Sequence, residues 1–137
     1  MSLSPHQFIN PKGMAAARGF SHAVVPADGR TVYLAGQVAM DSTGAVVGDS
    51  FAEQFEVALG NVLAALDGAG GTAEHLVSMV MYATDVAAYR ASLPEVGAAY
   101  RKLVGRHYPA MALVGVTELV EPMAMIEIIA IAVIPAD

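Results

Sequence analysis

One carboxylate, Glu127, stands near the middle of the otherwise almost wholly apolar run PMAMIEIIAIAVIP (122–135). A charge withdrawn from water must be paired, protonated or put to use, because a bare buried carboxylate is costly. Put to use, it would act as a general base or orient a water. Alternation along the run places Ile126, Ile128, Ala130, Ala132 and Ile134 on one side of a strand and Glu127, Ile129, Ile131 and Val133 on the other. An outward charge that keeps a strand edge from pairing fits poorly with isoleucines on its own side. His22 is a second candidate, since imidazole titrates near neutral pH and can serve as acid, base or donor. A strand histidine with a satisfied partner is the more ordinary case. His6, His22, His75 and His107 form no H-x-x-x-H or H-x-x-E pair, so neither a metal nor another cofactor is expected. GAGG (68–71) follows a helical pattern instead of preceding one and lacks the Lys and Ser/Thr of a phosphate loop, which makes it a helix stop. Gly36 and Gln37 fall in a strand pattern, where glycine marks the close approach of a ligand or another backbone.

The elements that must position these residues are legible in outline. Residues 1–13 hold two prolines and a Pro-Lys-Gly turn signal, and read as a flexible or loosely docked arm. Residues 14–137 read as a single domain. SHAVVP, the turn ADGR and TVYLAGQVAM predict a hairpin about Asp28-Gly29. Ser50 and Glu53 have capping-box spacing, and Phe51, Phe55, Leu59, Val62 and Leu66 line one face of the helix that follows. LVSMVMYATDV (76–86) predicts a buried strand, and Ser92 with Glu95 repeats the capping box before a second helix. AMALVGVTEL (110–119) and AMIEIIAIAVI (124–134) supply two last strands. The order ββαβαββ implies an α+β fold, a mixed β-sheet with two helices on one face. Both sides of the last strand are apolar and nothing in the chain supplies a second layer. The open face is therefore expected to pack against other copies of the chain.

Composition narrows the function. Hydrophobic residues make up 55% of 137 and charged ones 15%, more apolar surface than a small domain readily hides, which again favours self-association. Seven Lys and Arg against thirteen Asp and Glu give a net charge of −6, which opposes nucleic acid as a partner. No apolar run reaches the roughly 18 residues of a membrane helix, and the N-terminus shows no secretion signal. With no cysteine present, the expectation is a soluble, cytoplasmic protein that takes no part in membranes.

RGFSHAV (18–24), LAGQVAMDSTGAVVG (34–48), Asn61, YATDVAAY (82–89), YPA (108–110) and IEIIAIAV (126–133) occur in the order and register of one family. By these six motifs the chain resembles the Rid superfamily, the reactive-intermediate deaminases also known as YjgF/UK114 proteins or endoribonuclease L-PSP. The resemblance implies a chorismate-mutase-like fold and a homotrimer whose sheets form a central barrel, with a small-molecule ligand in each intersubunit cleft. Deaminating members hydrolyse the enamines and imines released by pyridoxal-phosphate enzymes. In them a glutamate positions a water, a tyrosine lines the cleft, and an arginine after Pro-Ala holds the substrate carboxylate. Carried over, Glu127 is the catalytic residue, and Phe20, His22, Gly36, Gln37, Met111 and Leu113 contact substrate. This chain departs from the pattern with Met111 at the arginine, Phe20 at the tyrosine, Ala35 at a serine and Leu113 at a frequent cysteine. Loss of the arginine removes roughly 1.5–3 kcal/mol of charge-assisted binding, so deamination of 2-aminoacrylate-type substrates is expected to be weak or absent. Arg18, in the neighbouring loop, is a candidate replacement. The expected function is hydrolysis of an imine, enamine or related metabolite other than the usual imino acids. A non-catalytic trimer binding an apolar metabolite against Phe20, Met111 and Leu113 is the alternative. Endoribonuclease activity rests on the family label alone.

Overall fold

The computed structural model describes residues 4–137. Its centre is the apolar run around Glu127, which forms β6 (Ile126–Pro135). β6 lies antiparallel between β3 (Gly29–Gln37) and β4 (Leu76–Ala83), and β4 carries β5 (Ala110–Gly115) in parallel at the edge, giving the order β3-β6-β4-β5. The expected mixed sheet is present. A long apolar strand takes the interior position because both of its neighbours can then satisfy its backbone.

Two helices cover one face. α1 (Phe51–Gly68) buries Phe55, Leu59, Val62 and Leu66 against Ile126, Ile128 and Ala132, all of them almost fully buried. Each large apolar side chain so placed is worth roughly 1.5–3 kcal/mol. α3 (Leu93–Leu103) packs on α1 through Val96, Ala99 and Tyr100. The other sheet face is uncovered within the chain and apolar. Tyr33 is 79% exposed and Ile129 41%, and Val80 and Ile131 lie beside them. The alternation along the last strand is therefore as expected, with the even-numbered residues under the helices and Glu127, Ile129 and Ile131 on the open side.

Four local expectations need correction. The 1–13 arm is docked over part of its length, since β1 (Gln7–Ile9) pairs antiparallel with β2 (Ala23–Val25) and His6 is buried. Residues 1–3 of that arm lie outside the described residues. β2 and β3 do not form the expected hairpin. Pro26 offers no N–H to a ladder, and β3 takes β6 as its partner, with Gly29 opposite Pro135. The 76–86 strand ends at Ala83, and Asp85 caps an additional helix, α2 (Val86–Ala91), by accepting from Ala88 N at 3.0 Å. Because α2 runs directly into α3, Ser92 donates back to the Ala88 carbonyl at 2.8 Å instead of capping α3. The first capping box holds on one side. Ser50 Oγ accepts from Glu53 N at 3.2 Å, while the Glu53 carboxylate reaches Asp49 N at 2.9 Å. The strand expected over 110–119 stops at Gly115.

Candidate functional site

β6 presents Glu127 from the middle of the sheet, where it pairs with Tyr82 of β4 on the open face. The carboxylate is half-buried and has no hydrogen bond or ion pair among the described residues. Gly36 explains how it fits. A Cβ at position 36 would stand 2.9 Å from the Glu127 carboxyl carbon, so the bare backbone of β3 leaves room for the side chain. The ladder is irregular between Leu34 and Gln37, and Gly36 falls in that irregularity. The close approach anticipated at Gly36 is thus made by Glu127 itself. Gln54, which the sequence gave no reason to single out, fixes the entry to β6. It is buried and saturated, donating to Gly48 and Met123 carbonyls at 3.2 Å each and accepting from Met125 N at 2.8 Å. Its anchorage holds the loop two residues before Glu127.

Met111 and Leu113 lie on the other face. Strand pairing sets Met111 opposite Met79 and Leu113 opposite Met81, both buried under the helices, whereas Glu127 pairs with Tyr82, which points the opposite way. Met81, Met111 and Leu113 floor a hollow of about 500 Å³ whose rim carries Arg18, Phe20 and Arg90. A second hollow of about 350 Å³ adjoins it, sharing Arg18, Met81, Tyr89 and Met111 and adding Tyr108 and Arg101. Two elements place the rim. Ser21 bridges Ala110 in parallel and donates its N–H to the Pro109 carbonyl at 3.1 Å, which hangs the 18–22 loop on the free edge of β5. Gly19, with φ +77°, makes the turn between Arg18 and Phe20. α2 supplies Arg90 from the opposite side.

His22 does not line the hollows. Its ring donates from Nε2 to the Ala15 carbonyl at 2.8 Å and stands edge-on to Phe20 with centroids 5.2 Å apart, so it braces the loop that carries Phe20. Gln37 is also apart. It pairs with Ile128 and faces a separate hollow beside Asn61, whose amide holds the Val38 and Met40 carbonyls. Within one chain the anticipated residues therefore form three groups: Glu127 with Gly36, the trough of Phe20, Met111 and Leu113, and Gln37 with Asn61. Arg90 and Arg101 were missed because α2 was not foreseen. Asp85 at its N-cap was the available signal.

His6, His75 and His107, distant in sequence, meet behind β1. His6 accepts from Ala27 N on Nδ1 at 3.1 Å and donates to the His75 carbonyl at 3.0 Å, while His75 accepts from Thr72 N on Nδ1 at 3.0 Å. The buried His107 donates to the Leu76 carbonyl at 2.7 Å and packs edge-on to Phe8. Burial pushes both His75 and His107 below the ordinary histidine value, with neighbouring His6 adding to the shift. Among the described residues no group of side chains has the arrangement of a metal site, and no helix is long and apolar enough to cross a membrane.

The sequence profile of the family described as Endoribonuclease L-PSP matches residues 11–134. No curated protein matches the chain. Among solved structures, the chain is similar to YyfB of Yersinia pestis, a protein of unknown function of the conserved Rid family. The two are 32% identical with a TM-score of 0.85, over 94% of this chain and 98% of that one. It is also similar to a member of the YjgF/YER057c/UK114 family from Mycobacterium tuberculosis, at 30% identity and a TM-score of 0.64 over 94% and 99% of the two chains. RidA from an Antarctic Psychrobacter is 29% identical with a TM-score of 0.67 over 88% and 92%.

Proposed function

Because the chain belongs to the endoribonuclease L-PSP family, which takes in the Rid and YjgF/UK114 proteins, we propose that it hydrolyses a small imine- or enamine-type metabolite in clefts formed between copies, with Glu127 orienting or deprotonating the attacking water. The observation that carries this is the state of Glu127: a half-buried carboxylate among exposed apolar residues, left without an ion pair among the described residues and given space by Gly36. A scaffolding carboxylate would be tied to a cation or to backbone donors.

Glu127 and the Met111 trough face opposite sides of one sheet, so they address one ligand only where a second copy of the chain brings them together. That geometry supports a cleft between subunits and the homotrimer that the family resemblance implies. Met111 and Leu113 offer no charge, which supports weak turnover of 2-aminoacrylate-type acids at this floor. The acidic net charge of −6 supports a metabolite over RNA as the ligand. The second reading, a trimer that binds without turnover, draws on the apolar lining of the trough.

Glu127→Gln decides between them. Turnover of imines generated in situ by a pyridoxal-phosphate dehydratase should fall ten-fold or more in the variant, with thermal stability retained. Equal rates in the variant and the wild type would remove Glu127 from the mechanism.

A further inference from the structure

Three of the five arginines in this acidic chain, Arg18, Arg90 and Arg101, converge on the joined hollows from three separate segments, the loop before β2, α2 and α3. Among the described residues that line the hollows there is no Asp or Glu, and none of the three arginines has an ion pair. The ion pair that is present joins Lys102 to Glu56 elsewhere. Arg101 lies back over the trough because Gly97, one turn before it, has no side chain. A Cβ there would stand 3.2 Å from the guanidinium nitrogen. Guanidinium groups gathered around an apolar floor repel one another unless an anion comes between them. Met81 and Met111 make that floor adaptable, and Tyr89 and Tyr108 add flat walls.

On the premise that this trough is the ligand side of the cleft, we propose that it binds a monocarboxylate with a branched or aromatic apolar body, the carboxylate held at the rim by Arg18 and Arg90 and the body lying over Met81, Met111 and Leu113. A guanidinium meets a carboxylate in a paired, directional fashion, and apolar area buried on the floor supplies the remainder of the affinity. Because the cations stand on the rim and the floor carries no donor, a short acid can reach the arginines or the floor but gains little from both. Selectivity for longer apolar acids follows from that separation. A phosphate or nucleic-acid ligand would leave the floor unused.

The test is calorimetric titration of the full-length protein with propanoate, 4-methylpentanoate, 3-phenylpropanoate and the neutral 3-phenylpropanamide. Affinity should rise at least ten-fold from propanoate to 3-phenylpropanoate, and the amide should bind at least ten-fold more weakly than its acid. Arg18→Gln with Arg90→Gln should weaken the acid about ten-fold and leave the amide unchanged, with circular dichroism confirming the fold. Equal binding of acid and amide, equal binding of short and long acids, or no acid binding at millimolar concentration would each overturn the proposal on wild-type protein alone. Acid binding without turnover of any imine would defeat the hydrolase reading and leave this one standing. Turnover of neutral imines by a protein that binds no acid would do the reverse.

Discussion

Gly36 and Glu127 act as a pair, the one lacking a side chain where the other places its carboxylate. Their coupling gives a residue-scale test that needs no known substrate. Gly36→Ala should displace the Glu127 side chain, visible as a changed carboxyl ¹³C resonance and titration midpoint. Stability should change by no more than about 1 kcal/mol, because alanine is otherwise favoured over glycine in a strand. An unchanged Glu127 resonance would mean that the strand itself shifts to admit the methyl group. Gln54 illustrates what sequence conceals at this scale. Its three hydrogen bonds go to backbone groups up to 71 positions away, and no local pattern marks it. His22 shows the opposite case, a chemically able residue whose ring is committed to the Ala15 carbonyl.

At the scale of elements, β1 is held by neutral histidines. His6 and His75 each accept a backbone N–H on Nδ1, and an imidazolium has no lone pair left to accept it. Burial lowers His75 and His107 below the ordinary value of 6.5. The unfolded or undocked state then binds more protons than the folded one. Stability is full above about pH 6.5 and is lost progressively as the pH falls through the lowered folded-state values. Amide exchange at Gln7–Ile9 and Thr72 should therefore accelerate between pH 7 and 5, ahead of exchange in β6. Protection at Gln7–Ile9 that is constant with pH would show that the histidines do not hold the arm. α2 carries the same lesson for the site: one short helix, unforeseen behind a β-branched run, delivers Arg90 to the trough.

For the whole molecule, the uncovered sheet face decides how copies assemble. Ile129 and Tyr33 are exposed in one chain on a face that is otherwise apolar, and burying that face in a trimer would remove it from water. Native mass spectrometry should find three chains of 14.1 kDa each, and Ile129→Asp should shift the mass to the monomer and lower the melting temperature. A wild-type monomer at micromolar concentration would remove the intersubunit cleft and the proposed mechanism with it. By itself the sequence determined the strands and main helices, the two faces of β6 and the family, because hydrophobic periodicity and ordered motifs are local or nearly so. It could not determine that β2 would leave β3 for β1, that three histidines would meet behind the arm, or that Arg18, Arg90 and Arg101 would ring one trough. Nor could it show that Glu127 and Met111 face opposite ways, which depends on strand pairing between segments far apart in the chain. Those facts belong to tertiary structure because each is a contact between residues that no periodicity relates.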